Sequence, residues 1–153
     1  MNKFILAATA AVIGSAAAAQ EETTVKMEDV PAVVMEAAMA NANGVTFDTV
    51  SMDEGVYEFA GKMASGMGLE VDVMEDGTIE EVEEQIEMAA LPAEVTAALT
   101  ASMAGFTPAY IEKSTRADGV VVYEFEGTVD GKEIDAEINA DGTGFVMNDD
   151  MAG

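Results

Sequence analysis

The sequence contains two copies of one repeat, and this internal repeat constrains the fold more than any other feature. Three landmarks recur in the same order at offsets of 61, 66 and 65 residues. They are the X-Pro-Ala tripeptides at 30–32 and 91–93, the Tyr-Glu-Phe triplets at 57–59 and 123–125, and the Asp-Gly-Thr triplets at 76–78 and 141–143. Recurrence of this kind predicts two copies of a single supersecondary unit.

Each unit is predicted to begin with a helix. Pro31 and Pro92 each precede an apolar stripe with helical spacing, and proline suits the first turn of a helix because its missing N–H leaves no hydrogen bond unmade there. Gly44 and Gly105 follow at matching positions just past the expected helix ends. A glycine there predicts a left-handed cap.

The remainder of each unit alternates apolar and polar residues, which is typical of antiparallel strands that bury one face. Leu69, Val71 and Val73, for example, alternate with polar or flexible side chains. Asp-Gly pairs favour hairpin turns between such strands; they occur at 76–77, 118–119, 130–131 and 141–142. We therefore predict an α+β fold. It consists of two repeats of a helix plus a four-stranded antiparallel meander, with the helices on one face of an extended antiparallel sheet.

The first residues have the features of a secretory signal peptide. Lys3 precedes an apolar run at 4–13, and an Ala-Ala-Ala segment at 17–19 offers a cleavage site before Gln20. The run is shorter than the roughly 20 residues that span a bilayer. We predict a periplasmic or secreted protein without a membrane anchor after cleavage. Its predicted segments are a signal peptide at 1–19, an N-terminal lead-in at 20–29, a first repeat at 30–86 and a second repeat at 91–150.

The absence of cysteine and histidine from the sequence limits the chemistry of the chain. It removes disulfides, thiolate nucleophiles and zinc–thiolate sites, together with the commonest general base and metal ligand. Paired carboxylates remain as a catalytic option, but sugar-cleaving enzymes of that type need a sheltered acid and usually aromatic stacking surfaces. The chain has no tryptophan and three tyrosines. We therefore predict no enzymatic activity, no catalytic residues and no cofactor.

The chain is strongly acidic. Removing the predicted signal peptide removes Lys3 and no acid, which leaves 5 basic and 30 acidic residues and a net charge of −25. Such a surface repels phosphate backbones and anionic lipids, so we expect no binding to nucleic acid or to membrane surfaces. It favours cations and basic protein partners. The same negative charge also favours solubility of the protein, which is the other interpretation of the acidity.

The pattern resembles the PepSY-like domain. The residues that carry the resemblance are the Tyr-Glu-Phe-Glu-Gly strand at 123–127, Asp-Gly-Lys-Glu at 130–133 and Ala-Asp-Gly-Thr at 140–143. The second repeat matches closely, whereas the first carries a Met/Gly-rich loop at 61–68 in place of a tight hairpin. The tandem arrangement is also similar to the β-lactamase inhibitor proteins (BLIP). The resemblance implies a protein-binding module, with restraint of a peptidase as one such role, and it carries over no catalytic residues.

The sequence also offers two alternative metal sites. An EF-hand-like calcium loop around Gly142 would use Glu137, Asn139, Asp141 and Asn148, but asparagine cannot supply the bidentate final ligand, and the loop lies between predicted strands. Ordinary hairpin turns explain these residues, while weak calcium binding by dense carboxylates stays open. Cu(I) would use thioethers; the candidate pairs are Met35 with Met39 and Met63 with Met67. Core packing is the commoner role of methionine.

The remaining candidate site is the sheet face that the helices leave open. If the Tyr and Phe side chains of the repeated triplet pack beneath the helices, acidic side chains project from the opposite face. The predicted partner-binding residues are Glu58, Asp72, Glu124, Glu126, Asp135 and Glu137. We therefore predict an exported, non-catalytic PepSY-like protein that binds another protein through an acidic sheet face. The predicted partner is a peptidase or a protein with a basic surface. The alternative is an envelope metal-binding or buffering protein that uses carboxylates for calcium or methionines for Cu(I).

Overall fold

The computed structural model describes residues 23–129 and 131–149. The predicted signal peptide at 1–19 lies outside these residues. In the described part of the chain, nine strands form one antiparallel sheet in which every strand pairs with its neighbours in sequence. The strands are β1 Thr23–Val25, β2 Phe47–Asp53, β3 Val56–Lys62, β4 Gly68–Met74, β5 Ile79–Gln85, β6 Tyr110–Arg116, β7 Val121–Val129, β8 Lys132–Asn139 and β9 Val146–Asp149.

This sheet contradicts the predicted division into two repeats of a helix plus a four-stranded meander. Strand β5 hydrogen-bonds directly to β6, with Glu81 opposite Arg116 and Gln85 opposite Glu112. Strand β1, in the predicted lead-in, adds to the sheet beside β2. An unpaired edge would present a row of free N–H and C=O groups, and pairing β5 with β6 removes two such edges. The correction is therefore one continuous sheet, although its helices and antiparallel strands are consistent with the α+β class.

Two helices of ten residues accompany the sheet, α1 at Ala32–Asn41 and α2 at Ala93–Ser102. Pro31 and Pro92 occupy the N-cap positions, one residue before the predicted first turn. The left-handed backbone predicted beyond the helix ends is confirmed, because φ is +83° at Gly44 and +88° at Gly105. Neither helix approaches the length of roughly 20 residues that a bilayer requires, and no described helix is long and apolar enough to cross a membrane.

Both helices pack on the same face of the sheet and cover two hydrophobic clusters. Helix α1 lies on β4 and β5, and Val34 and Ala38 of the helix belong to one buried cluster with Phe59 of β3 and Val71 of β4. Helix α2 lies on β8, where the second cluster is centred on buried apolar side chains; its members include Val95, Leu99, Phe125 and Ile138. Burial of these side chains drives the helices onto the sheet, at about 1.5–3 kcal/mol for each large apolar side chain.

A polar seam separates the two clusters on this face. Glu84 of β5 lies opposite Lys113 of β6, and the Lys113 Nζ atom is 3.4 Å from a Glu84 carboxylate oxygen. Because this pair is partly exposed to solvent, it contributes little to stability. The β5–β6 hydrogen bonds join the two halves directly.

Two hairpin turns dock against the first turns of the helices. Gly77, between β4 and β5, has φ of +87° and lies against Val33; a Cβ atom at this glycine would be 2.8 Å from the Val33 Cγ2 atom. Gly142, between β8 and β9, has φ of +81°, and its Cβ would be 2.8 Å from the Glu94 carbonyl oxygen. Both positions require glycine, for its backbone conformation and for the close approach.

Candidate functional site

The sheet face opposite the helices, called the open face below, is built from acidic rows. Residues that are directly opposite each other on neighbouring strands share a face. The register places Asp72 between Glu58 and Glu81, and Glu124 between Glu112 and Glu137. The polar residues of the open face in the central strands are Glu58, Glu70, Asp72, Glu81, Glu83, Gln85, Tyr110, Glu112, Ser114, Arg116, Glu124, Glu126, Asp135, Glu137 and Asn139.

Several of these acids are buried although they lie on the face away from the helices. The exposed fraction is 6% for Asp72, 9% for Glu81, 1% for Glu83 and 5% for Glu112. Neighbouring side chains in the crowded rows shield them from water. Buried carboxylates are ordinarily paired or hydrogen-bonded, because an unpaired charge away from water is costly.

Several buried carboxylate oxygens on this face have no hydrogen-bond partner among residues 23–129 and 131–149. They are one oxygen each of Asp53, Asp72, Glu112 and Glu126, and both oxygens of Glu83. An ordered water or a bound cation is the usual reason for such a group in a folded protein. These oxygens therefore have unused capacity to accept hydrogen bonds.

Burial raises the pKa of several carboxyl groups on this face. Desolvation, reinforced by neighbouring carboxylates, raises the pKa of Asp72 to about 9 and the pKa of Glu83 to about 11. The same cause raises the pKa of Glu112 and of Glu124 to about 7. Each carboxyl makes ionisation of the next one harder. A cation brought to this face would reverse that effect.

Arg116 lies among these acids and pairs with two of them. Its Nε donates to a Glu81 oxygen at 3.3 Å, and its Nη2 donates to a Glu137 oxygen at 2.5 Å. The Ser114 hydroxyl donates to the same Glu81 oxygen. Elsewhere on the face, the Tyr110 hydroxyl donates to Glu112 at 3.0 Å. These contacts hold Glu81, Glu112 and Glu137 in place and leave Glu83 without a donor in the described part of the chain.

All six predicted partner-binding residues lie on the open face, in two separate groups. Glu58 pairs with Asp72 in the first half of the sheet. In the second half, Glu124 pairs with Glu137 and Glu126 with Asp135. Strands β5 and β6 lie between the groups, and the register offsets Asp72 of β4 from Glu124 of β7 by four residues along the strands. With strand spacings of about 4.8 Å and a rise of about 3.3 Å per residue, the two acids are roughly 20 Å apart.

Sequence reasoning missed the acids at the centre of the face, Glu81, Glu83 and Glu112. A signal exists for the first two, since both flank the apolar Val82 in a short acidic segment. A register shift between β4 and β5, however, places Asp72 opposite Glu81 but Val73 opposite Ile79. Strict alternation counted from Ile79 would put Glu81 and Glu83 beneath the helices. The bulge puts them on the open face instead.

The other metal candidates are accounted for by ordinary packing and turns. Asp141 accepts hydrogen bonds from the Thr143 N–H at 2.9 Å and from its hydroxyl at 2.6 Å, so this carboxylate stabilises the β8–β9 turn. Met35 and Met63 pack against the first hydrophobic cluster, and Met39 is 53% exposed on α1. Met63 and Met67 are joined by a backbone hydrogen bond of 2.8 Å, which closes the β3–β4 loop.

A shallow apolar depression also lies near the joint between the halves. It is lined by Met67, Ile86, Glu87, Ala89 and Ala90. None of the open-face carboxylates lines it. It therefore offers none of the paired acids that an acid–base site would need.

Comparison with known proteins shows similarity at the level of the fold. No family model matches the chain, and no curated protein matches it. A DUF2874 family protein from Bacteroides ovatus matches with a TM-score of 0.66 at 16% identity, covering 80% of this chain and 93% of its own. A BLIP-like protein from Bacteroides fragilis matches with a TM-score of 0.65 at 16% identity, covering 80% and 88%.

A third solved structure has the same fold. It is a protein of Bacteroides eggerthii that has been proposed to be periplasmic, with a TM-score of 0.68 at 14% identity, covering 78% of this chain and 88% of its own. At such identities, the three matches establish a shared architecture and carry no site residue across. Function has to be argued from the site itself.

Proposed function

We propose that this chain is an exported, non-catalytic binding protein whose open face engages a basic surface on another protein. The observation that carries the proposal is the set of buried carboxylate oxygens on that face without hydrogen-bond partners. A partner that brings lysine or arginine side chains would supply the missing donors. Burial of such charge pairs favours the right partner and rejects others by charge.

The partner-binding residues proposed for this surface are the predicted set of Glu58, Asp72, Glu124, Glu126, Asp135 and Glu137, extended by Glu112 and Glu70. Their exposure is graded. Asp135 is exposed and Glu58, Glu126 and Glu137 are partly exposed, whereas Asp72 is buried. A basic side chain would therefore meet the exposed acids first and be steered toward the buried ones. This grading matches the polar rim and desolvated centre of protein interfaces.

We propose a peptidase as the partner class on the resemblance of the sequence, since none of the three fold neighbours named above is described as binding one. The PepSY-like resemblance implies a module that restrains peptidases, and one neighbour by fold is a BLIP-like protein. A protein proposed to be periplasmic shares the fold, which supports export to the periplasm or beyond. The absence of histidine and cysteine from the sequence supports a non-catalytic role.

Affinity capture tests this proposal. The immobilised protein is exposed to the envelope and secreted fractions of its own organism, and retained proteins are identified by mass spectrometry. We expect one dominant partner with a basic surface, retained at physiological salt and released at high salt because exposed charges are then screened. If the partner is a peptidase, adding the protein should slow its cleavage of a peptide substrate. Retention of nothing at physiological salt would contradict the proposal.

A further inference from the structure

Three carboxylates converge at the centre of the open face. They belong to Glu81 and Glu83 of β5 and Glu124 of β7, and one oxygen from each lies within 4.8 Å of the others. Strand β6 passes between them, and its residue at this point is Ser114, directly opposite Glu83. Because serine is small, the longer side chains on both sides can meet above it.

The separation of the oxygens suits one ion. Calcium binds oxygen ligands at 2.3–2.6 Å, so two oxygens on opposite sides of the ion lie up to about 5 Å apart. Three oxygens within 4.8 Å of one another can therefore all reach a single calcium ion placed between them. The remaining coordination positions would be filled by water, as is usual for this ion.

Glu83 gives a second, independent indication of a ligand. Its side chain is only 1% exposed, it points into this cluster, and neither of its oxygens has a hydrogen-bond partner among the described residues. Arg116 does not compensate it, because that guanidinium is bound to Glu81 and Glu137. Glu81 is oriented by Arg116 and Ser114, whereas Glu83 is left facing the other two carboxylates. A buried carboxylate of this kind needs a positive partner.

We propose that Glu81, Glu83 and Glu124 form a binding site for a divalent cation, with Ca²⁺ as the preferred ion. The donors are all carboxylate oxygens, which suit calcium, magnesium and manganese and not the softer metals. Ca²⁺ is favoured over Mg²⁺ because three acids on two strands do not form the near-ideal octahedron that magnesium demands. The site shares Glu124 with the proposed partner-binding residues but is testable without the partner, and it lies apart from the Asp-Gly turns.

Calorimetric titration of the chelator-treated, dialysed protein with CaCl₂ at physiological ionic strength tests the site. We expect one saturable site per chain with a dissociation constant of about 10⁻⁴–10⁻³ M, the range of extracellular calcium modules. Glu83→Gln and Glu124→Gln should each weaken binding by about tenfold or more, since ligand charge sets affinity. Circular dichroism establishes that each variant is folded, and the second variant keeps the test decisive if the first repacks.

Glu133→Gln is the matched control. Glu133 is exposed on the open face of β8, opposite Thr128, so this variant loses the same charge without losing a ligand. We expect its calcium affinity to stay within about twofold of the unaltered protein, since diffuse charge effects are largely screened at this salt. Absence of a saturable site, or equal weakening by all three variants, would overturn the proposal. Because no partner protein is present, this result is separate from the outcome of the capture experiment.

Discussion

Glu83 is the most deeply buried acid of the open face. Its carboxyl group is buried on a sheet face that no described helix covers, and no described residue donates a hydrogen bond to it. In cation-free protein the folded state avoids the buried charge by keeping the proton, because burial raises the pKa of Glu83 to about 11 from a normal value of 4.5. At pH values between 4.5 and about 11, the folded state therefore binds one more proton than the unfolded state.

This difference predicts a pH-dependent stability. In the presence of chelator, the free energy of unfolding should fall as the pH rises above about 4.5, because the unfolded chain alone releases the Glu83 proton. Glu83→Gln removes the contribution. At about pH 8 the variant should be more stable than the unaltered protein by about 1–3 kcal/mol, and near pH 4 the difference should vanish. Urea unfolding at the two pH values measures both quantities.

Glu36→Gln is the control for that measurement, since Glu36 is exposed on α1. Its effect on the free energy of unfolding should be small and equal at both pH values. A Glu83→Gln protein that is less stable at the higher pH, or equally shifted at both, would contradict the description of Glu83 as a buried and unpaired acid.

At the scale of elements, the hairpin turns at Gly77 and Gly142 tie the sheet to the helices. Alanine at Gly142 would meet two costs, the left-handed backbone and the contact with the Glu94 carbonyl. Gly119, in the β6–β7 turn, has φ of +81° but has nothing within 4 Å of its Cβ position. The two glycines therefore separate the backbone cost from the packing cost.

We expect Gly119→Ala to lower the free energy of unfolding by about 1 kcal/mol, as alanine at a left-handed position does. Gly142→Ala should cost about 2–4 kcal/mol, because α2 has to shift as well. Denaturant unfolding of both variants gives the comparison. Equal losses would mean that the β8–β9 turn does not position α2.

The strands also show which parts of the fold the sequence could predict and which it could not. Alternation in β4, β7 and β8 correctly divided the side chains between the two faces, because each of those strands is regular over its pairing. In β5, the bulge opposite Asp72 and Val73 changes which side chains face outward. The pairing of β5 with β6 is likewise a long-range hydrogen-bonding choice with no local signature. Because the sequence shows neither the bulge nor the β5–β6 pairing, local patterns alone could not place Glu81 and Glu83 beside Glu124.

At the scale of the whole molecule, the continuous sheet joins the two hydrophobic clusters into one structure. The β5–β6 strand pair runs from Glu81 opposite Arg116 to Gln85 opposite Glu112, so neither half can unfold without exposing an edge of the other. The chain should therefore unfold as one unit although its sequence is a repeat. The buried rings of Phe59 and Phe125, one in each cluster, allow this to be tested.

Phe59→Ala and Phe125→Ala should each lower the free energy of unfolding by about 3–5 kcal/mol. Differential scanning calorimetry should show one transition for the unaltered protein, moved to lower temperature as a whole by either substitution. Two transitions, of which each variant shifts only one, would show instead that the halves unfold independently.

The central claim is that the open face is the binding surface, and two variants of equal charge test it most directly. One carries Glu58→Lys, Glu126→Lys and Asp135→Lys on the open face. The other carries Glu36→Lys, Glu75→Lys and Glu87→Lys at exposed positions outside that face. The measurement is the affinity of each variant for the protein captured from the envelope or secreted fraction. We predict a loss of about a hundredfold or more for the open-face variant and less than about threefold for the other. Equal losses would contradict the claim, because the acidity of the whole chain would then be responsible.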